Sequence, residues 1–211
     1  MIRSRWYLVR HAQTSWNGER RIQGSADPPL SARGRQQARC LARYFSGRPI
    51  RAIVSSGMQR TQETALAIAS TNGHRLQPVI EPDLREIHLG AWEGLTPEEI
   101  DARYPGAYDR WRLIPSSTLI PNAERLEIFL QRVRGARERL LATLQAEEAV
   151  IVAHGGVIAA LLADALCTTY DHCLQHVALD NAGISAVAFE AGRPPSVLWV
   201  NATAHLETPV G

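Results

Sequence analysis

The chain has 211 residues and a mass of 23.3 kDa, the size of one compact domain with an elaboration. Its composition, 45% hydrophobic and 21% charged, excludes a disordered or fibrous protein. All 23 basic residues are arginine, so chemistries that need a lysine amine, such as Schiff bases, pyridoxal phosphate attachment and the Walker A loop, are excluded. A net charge of +2 with scattered arginines predicts no nucleic-acid partner.

The cysteines and the apolar runs indicate where the protein works. Cys40, Cys167 and Cys173 are odd in number and widely spaced, which gives neither a disulfide framework nor a paired zinc motif. No apolar run approaches the ~20 residues that a membrane helix needs, and the N-terminus lacks the apolar stretch of a signal peptide. We therefore expect a cytoplasmic protein with reduced thiols and no membrane partner.

Strand and helix patterns alternate along the first half of the chain. The apolar run 6–9 stops at Arg10 and His11, the profile of a buried strand that delivers polar residues at its C-terminal end. Ser31 can cap a helix whose apolar positions recur at i, i+3, i+4 and i+7. Prolines place the last strand of this half near a sheet edge. The predicted elements are strands over 6–9, 51–54 and 77–81 and helices over 31–45 and about 58–71.

The second half begins with a less regular stretch. Residues Thr96 to Glu99 combine a capping box with a proline at the first helical position, which predicts a short helix. Residues 104–121 have little periodicity, and we interpret them as an excursion from the core. The clearest buried strand ends at His154. The predicted elements that follow are a helix over about 123–146, a strand over 149–153, a helix to about 166, and strands over 184–189 and 197–200.

Alternating strands and helices predict an α/β fold, a three-layer α/β/α sandwich around a mixed and mostly parallel sheet. In such sheets, reactive groups collect beyond the carboxyl ends of the strands, which is where His11 and His154 fall. No repeat and no linker divides the chain into equal parts. We expect one domain over 1–211 with a small lid at about 91–122.

A set of motifs accompanies the strand-end histidines. The segment Arg10-His11-Ala12-Gln13-Thr14 resembles the signature of the histidine phosphatase superfamily, the phosphoglycerate-mutase-like proteins, where Arg-His-Gly-x-Thr ends the first strand. Because further motifs follow in the family's order across nearly the whole chain, chance does not account for the match. These motifs are Arg21-x-Gln23-Gly24, Asp27-x-Pro29-Leu30-Ser31, Gly34-x-x-Gln37-Ala38, Ser55-Ser56 with Arg60-Thr61, Arg85-Glu86 with Gly90-x-Trp92-Glu93-Gly94, and Ala153-His154-Gly155-Gly156.

These residue types suit phosphoryl transfer in their own right. A phosphate monoester is attacked at phosphorus only when its negative oxygens are neutralised, and Arg10, Arg60 and His154 are the cations or donors available at strand ends. His11 can then attack through one ring nitrogen and form a phosphohistidine that water cleaves. Flanking arginines should hold the pKa of His11 below its ordinary value of ~6.5, which keeps the attacking nitrogen unprotonated.

The resemblance implies further roles at the site. It places Glu86 beside His11 as the general acid that protonates the leaving alkoxide and later activates water. To act as an acid, Glu86 must hold a proton, which requires burial or the charge of the bound phosphate. The side chains of Asn17 and Gln23 and the backbone of Gly24 and Gly155 are similar to the family's neutral phosphate contacts.

Several residues also have simpler interpretations. Glu86 could form a solvated ion pair with a neighbouring arginine. His88 would point the same way as Glu86 in an extended segment and could tune the site or contact substrate. His172 and His176 have i, i+4 spacing and could bind a metal if helical, but no HExxH arrangement accompanies them, so structural roles are favoured. We expect neither a metal nor a cofactor.

The branch of the family depends on the inserted segment. Phosphoglycerate mutases of this type hold the substrate carboxylate with extra cations, including a lysine, and are primed by bisphosphoglycerate. This chain has no lysine and a shorter insertion, which favours hydrolysis of small phosphorylated metabolites. It resembles the broad-specificity and alpha-ribazole phosphatases. A primed mutase is the alternative, followed by a non-catalytic phospho-ligand module; the presence of both His11 and Glu86 argues against the latter. Whether the chain forms a homodimer is left open.

There are two departures from the family pattern. Ala12 replaces the usual glycine, and Asn122-Ala123-Glu124-Arg125 replaces a glycine-rich loop, which adds a charge near the mouth. We hypothesise that lid residues select the organic part of the substrate. These residues are Tyr108, Trp111, Arg103, Arg110 and Arg112.

Overall fold

Apolar strands at the centre of a sheet organise this protein, for which we describe a computed structural model. The structure describes residues 2–72, 76–144 and 148–207. Its strands are β1 (Ile2–Arg10), β2 (Ile50–Ser55), β3 (Val79–Ile80), β4 (Glu148–Ala153), β5 (Ile184–Glu190) and β6 (Ser196–Ala202). They form one six-stranded sheet in the order β3-β2-β4-β1-β5-β6.

The sheet is mixed and mostly parallel, as the sequence predicts. Strand β4 pairs in parallel with both β1 and β2, and β2 pairs in parallel with β3. Strand β5 is antiparallel to β1 and to β6. The short β3 has both side chains exposed at the sheet edge, which agrees with the prolines that flank it.

Side chains of β1 alternate between two layers of helices. Trp6 and Leu8 are buried against residues of the sixth and seventh helices, whereas Tyr7 and Val9 are buried against residues of the second and third. The predicted three-layer α/β/α sandwich is therefore confirmed. The helices are α1 (Ser15–Gly18), α2 (Ala32–Phe45), α3 (Gln59–Thr71), α4 (Pro97–Arg103), α5 (Ala107–Leu113), α6 (Leu126–Thr143), α7 (Gly155–Ala165) and α8 (Tyr170–His176).

Several boundaries differ from those predicted. The stretch 104–121 contains α5, because Ala107 is buried in a small cluster with Trp92 and Ile100 that periodicity alone does not reveal. Helix α6 begins later than expected, since Arg125, the residue before its first turn, has extended backbone (φ -67, ψ 136). Residues 145 and 146 of the predicted helix lie outside the described residues. The division into one domain with a lid at about 91–122 stays a prediction.

A helix that spans a membrane must be both long and apolar. Within the part of the chain that the structure describes, no single helix meets both requirements. Helices α7 and α8 meet them only as a pair, which is bent by 114°.

The carboxyl ends of three strands meet at one edge of the sheet. Strand β1 ends just before His11, and β4 ends just before His154. The backbone N–H of His11 donates to the carbonyl of Ala153 at 2.9 Å, which ties the two strand ends together. Strand β2 delivers Ser56 to the same edge. Parallel pairing thus brings together residues that are far apart in the sequence.

The loop after β1 lies against α2, and Gly34 makes this approach possible. A Cβ atom at Gly34 would lie 1.9 Å from the carbonyl oxygen of Gln13. The same loop is bonded to α2, because Gln13 N–H donates to the Gln37 side chain at 2.9 Å. The loop that carries His11 can therefore lie this close to α2 only because Gly34 has no side chain.

We expect Gly34→Ala to lower the free energy of unfolding by about 2 kcal/mol or more, because backbone atoms must move to make room for the methyl group. Gly18→Ala is the matched control, since a Cβ there meets nothing within 4 Å. Urea denaturation of both variants measures the difference. Equal stability of the two variants would contradict this account of the loop.

Candidate active site

A cavity of about 450 Å³ opens at the sheet edge where the strand ends meet. Its walls contain all of the predicted site residues except His154. The predicted residues that line it are Arg10, His11, Asn17, Gln23, Gly24, Arg60, Glu86 and Gly155. The structure therefore brings the predicted nucleophile, arginines and carboxylate to one space of the size that small-molecule sites occupy.

The protonation of His11 follows from its hydrogen bond. Its Nδ1 lies 2.8 Å from the carbonyl oxygen of Ala12, and a carbonyl can only accept, so Nδ1 carries the proton. The other nitrogen, Nε2, is left with its lone pair. Burial and the charges of Arg60 and Arg10 hold the pKa of His11 well below 6.5, the direction that the sequence predicts. At neutral pH the ring is therefore uncharged.

Ala12 supports this arrangement in place of the family's usual glycine. It is fully buried, and its N–H donates to the Thr64 hydroxyl of α3 at 3.1 Å. The methyl group packs with Leu30 and Ala38. The substitution is therefore accommodated, and the Ala12 carbonyl remains the acceptor for His11.

Arg10 offers donors to an anion in the cavity. One of its terminal nitrogens donates to the Leu179 carbonyl. Its Nε is buried and has no hydrogen-bond partner among the described residues. A Cβ at Gly155 would lie 3.7 Å from this Nε, which places the guanidinium beside the first residue of α7. Burial lowers the pKa of Arg10, and the charges of Glu86 and Asp180 oppose that effect.

Arg60 projects from the first turn of α3 and is held rigidly although it is buried. Its NH1 donates to the Ala26 carbonyl at 2.6 Å and to Asp27 Oδ1 at 3.2 Å. Its NH2 donates to the Gly24 carbonyl at 2.9 Å, and its Nε donates to His154 Nδ1 at 3.3 Å. These acceptors compensate the cost of burying a charge and fix the guanidinium in the cavity wall.

His154 lies behind the cavity and contacts Arg60. Because Nδ1 of His154 accepts from Arg60, its Nε2 carries the proton and donates to Ser56 Oγ at 2.8 Å. Ser56 in turn donates to Thr61 Oγ1 at 2.9 Å, and Thr61 donates to the Met58 carbonyl at 2.8 Å. Burial and the Arg60 charge lower the pKa of His154, so the ring is neutral. His154 thus positions Arg60, and its expected contact with a phosphoryl group stays a prediction.

Glu86 is anchored by backbone donors. Its Oε2 accepts from Gly156 N–H at 3.1 Å and its Oε1 from Ile87 N–H at 3.1 Å. A Cβ at Gly156 would lie 2.6 Å from Glu86 Oε1 and 3.0 Å from the Tyr170 hydroxyl, so this close approach requires glycine. Burial and the Glu86 charge raise the pKa of Tyr170 well above 10, which keeps the phenol neutral. The carboxylate is therefore fixed in the wall that His11 also lines.

The predicted neutral contacts present amide hydrogens. Asn17 Oδ1 accepts from Thr14 N–H at 3.0 Å and from Asn181 Nδ2 at 3.2 Å, which leaves the Asn17 amide hydrogens for a ligand. Gln23 Oε1 accepts from the Thr14 hydroxyl at 3.0 Å. The N–H of Gly155 opens α7, where the helix dipole favours an anion. These donors and the arginines point to a tetrahedral anion.

The outer half of the cavity is apolar and aromatic. Tyr108 and Trp111 line it, as the lid hypothesis predicts, and their rings pack together at 5.8 Å. The arginines of that hypothesis, at positions 103, 110 and 112, are exposed and are not among the lining residues. Two arginines of the loop after α1 line the cavity instead. The remaining outer residues are Ile22, Ile87, Leu89, Pro97, Leu174, Val177 and Leu179.

The other singled-out histidines lie outside the cavity wall. His88 Nδ1 is 2.8 Å from Glu93 Oε1 and 2.7 Å from Ser25 Oγ. His172 and His176 lie on α8 with ring centroids 4.4 Å apart. Within the described ranges, no group of three or more histidine, cysteine, aspartate or glutamate residues is placed to hold a metal.

The sequence does not predict a role for some residues of the site. Ser56 and Thr61 belong to a motif, but their hydrogen bonds behind His154 are seen only in the structure. Asn181 donates to the His11 carbonyl at 3.1 Å, and Tyr170 lies beside Glu86. The signal for Asn181 was the turn before β5, whereas nothing in the sequence near Tyr170 indicates a site. Arg125, expected near the mouth, pairs with Glu127 at 3.5 Å and does not line the cavity.

Replacing Arg10 tests the electrostatic control of His11. We expect Arg10→Gln to raise the pKa of His11, because the loss of a neighbouring cation favours the imidazolium form. NMR titration of the His11 ring nitrogens measures the midpoint. Arg125→Gln, an exposed change outside the cavity, serves as control. An unchanged His11 midpoint in Arg10→Gln would contradict the assignment.

Replacing Ser56 tests the hydrogen-bond chain behind Arg60. We expect Ser56→Ala to leave the buried Nε2–H of His154 unpaired and to lower the free energy of unfolding by about 1–3 kcal/mol. Ser70→Ala, which removes an exposed hydroxyl, is the control. Nitrogen NMR should show His154 in the same Nε2–H tautomer, because Arg60 still donates to Nδ1. Full stability of Ser56→Ala would show that the hydrogen bond from His154 to Ser56 is unimportant.

Two curated relatives match nearly the whole chain. Over 216 aligned residues, the chain is 32% identical to the probable phosphoglycerate mutase GpmB of Serratia proteamaculans, with 96% of this chain and 95% of that protein covered. It is 34% identical to phosphoserine phosphatase 1 of Hydrogenobacter thermophilus, with 94% of this chain and 92% of that protein covered.

Solved structures show the same relationship. A mycobacterial glucosyl-3-phosphoglycerate phosphatase, determined in complex with VO3, matches with a TM-score of 0.85 and 31% identity, over 94% of this chain and 99% of that one. Alpha-ribazole phosphatases are also among the structural matches. The model of the histidine phosphatase superfamily, branch 1, matches residues 6–202, and the chain therefore belongs to this family.

Proposed function

We propose that this protein is a phosphomonoesterase that hydrolyses small phosphorylated metabolites through a phosphohistidine on His11. One observation carries the proposal: His11 Nδ1 is bonded to a carbonyl, so the unprotonated Nε2 remains for attack in a cavity that Arg10 and Arg60 also line. A nucleophile and the cations that neutralise its target thus share one space.

In the first step, Nε2 of His11 forms a bond to phosphorus while the bond from phosphorus to the leaving oxygen breaks. Arg10, Arg60 and the N–H of Gly155 neutralise the three non-bridging oxygens. Glu86 acts as the general acid and gives a proton to the leaving alkoxide. The alcohol departs, and the phosphoryl group stays on His11.

In the second step, water attacks phosphorus and the bond between phosphorus and His11 Nε2 breaks. Glu86, now a carboxylate, accepts the proton of the attacking water. Inorganic phosphate leaves, His11 returns to its neutral form, and Glu86 is again protonated for the next cycle. No step requires a metal, because guanidinium groups supply the positive charge. We accordingly propose a metal-independent reaction in the cytoplasm.

The names of the relatives support hydrolysis, but they also include the alternative function of a phosphoglycerate mutase. Phosphatases occur among both the sequence relatives and the solved structures, whereas another relative is named a probable phosphoglycerate mutase. A mutase must retain its phosphorylated intermediate with a cationic lid. The lid arginines at 103, 110 and 112 do not line this cavity, which favours the phosphatase. The alternative of a non-catalytic module leaves the shared placement of His11 and Glu86 unexplained. A homodimer is neither required nor opposed by this mechanism.

Leaving groups of different basicity test the role of Glu86. We expect Glu86→Gln to reduce kcat about 10²–10⁴-fold for alkyl phosphates, whose alkoxide needs a proton. The first step with p-nitrophenyl phosphate should be nearly unaffected, because nitrophenolate leaves without one. Since the second step lacks its base, phosphohistidine should accumulate with this substrate. Rapid-quench labelling and steady-state assays, with and without a chelator, measure both effects.

The controls separate the proposed chemistry from its rivals. His11→Ala should abolish labelling and turnover, while Glu138→Gln, an exposed change on α6, should leave both unchanged. Labelling of His11→Ala would refute the assigned nucleophile. Transfer of the label between phosphoglycerate hydroxyls that depends on bisphosphoglycerate would establish the mutase instead.

A further inference from the structure

Arg20 has a backbone conformation that arginine rarely adopts. It follows the single turn of α1 with φ 59, in the left-handed region where glycine is preferred at the end of a helix. A side chain with a Cβ costs about 1–2 kcal/mol per residue there. Because backbone strain is often found at functional sites, its occurrence in a residue that lines the cavity indicates a functional role for the Arg20 side chain.

Arg20 differs from the other arginines that line the cavity. Arg10 and Arg60 belong to the inner half described above. Arg21 is fixed by Glu19 at 2.9 Å, Glu99 at 2.8 Å and the Gly94 carbonyl at 2.7 Å. Among the described lining residues, Arg20 is therefore the arginine that remains available at the outer half.

Arg20 forms only a weak, exposed ion pair with Glu98. Arg20 NH1 lies 3.1 Å from Glu98 Oε1 in the first turn of α4, and the two side chains are 71% and 66% exposed. Exposed pairs of this kind contribute about 0–1 kcal/mol. A ligand anion that reaches the outer half can therefore replace Glu98 at small cost.

Tyr108 completes the surroundings of Arg20. Tyr108 lines the same cavity as Arg20. Burial raises the pKa of Tyr108, so the phenol is a neutral hydrogen-bond donor in this cavity. A guanidinium fork matches a planar carboxylate with two parallel hydrogen bonds.

We propose that Arg20 is a specificity-determining residue that binds a carboxylate on the organic part of the substrate. This inference rests on the proposed phosphatase function and names its substrate class as phosphorylated carboxylic acids. The phosphate occupies the inner half, between Arg10 and Arg60, and the carboxylate lies at the outer half, between Arg20 and Tyr108. The cavity of about 450 Å³ has room for both groups on a short carbon chain.

Two substrates that differ at one carbon test the inference. 3-Phosphoglycerate carries a carboxylate where glycerol 3-phosphate carries a hydroxymethyl group. We expect the native protein to have the higher kcat/KM with 3-phosphoglycerate. Arg20→Gly, which removes the charge and relieves the backbone, should lower the ratio of the two kcat/KM values about tenfold, the effect of one charge-assisted hydrogen bond. Arg20→Lys should restore part of that ratio.

The matched control is Arg39→Gln, an exposed arginine of α2 that does not line the cavity, and its ratio should equal that of the native protein. A ratio near one in the native protein, or an unchanged ratio in Arg20→Gly, would overturn the role of Arg20 and leave the phosphatase intact. An equal loss on both substrates in a folded Arg20→Gly would also overturn it. Absence of turnover on both substrates and on p-nitrophenyl phosphate in the native protein would instead refute the proposed function.

Discussion

The buried guanidinium of Arg60 is the interaction on which the rest of the site depends. A buried charge is stable only when its hydrogens are bonded, and the loop carbonyls of Gly24 and Ala26 supply acceptors from one side. His154 supplies an acceptor from the other side, at the end of β4. One side chain of α3 therefore holds a loop and a strand end together. Burial and, after it, the Arg60 charge lower the pKa values of the neighbouring imidazoles of His11 and His154 and keep both rings neutral.

The arrangement of the fold could largely be predicted because its causes are local. Helix α2 presents apolar side chains at helical spacing, and β1 and β4 are apolar runs that end at a histidine. Parallel pairing then places both histidines at one edge without further information. The segment containing α5 was not predicted, since its burial depends on Trp92 and Ile100, which lie at a distance in the sequence.

The site itself could be predicted as a set of residues but not as a network. The order of the motifs identified the side chains that line the cavity. The placement of His154 behind Arg60, however, depends on Ser56, whose hydroxyl oxygen accepts a hydrogen bond from His154 Nε2. The donor and acceptor roles in these hydrogen bonds depend on which partner atoms can only donate or only accept, and the sequence does not show which atoms are partners. The lid illustrates the same limit: its aromatic residues line the cavity, whereas arginines beside them in the sequence do not.

The two halves of the cavity differ in how firmly their arginines are held. Arg60 is bonded on several sides and is nearly inaccessible to solvent, so the inner half is preorganised for the phosphoryl group of the proposed reaction. Arg20 is exposed and weakly paired, so the outer half can be altered without disturbing those bonds. The proposed role of Arg20 therefore separates the recognition of the organic group from the chemistry at phosphorus.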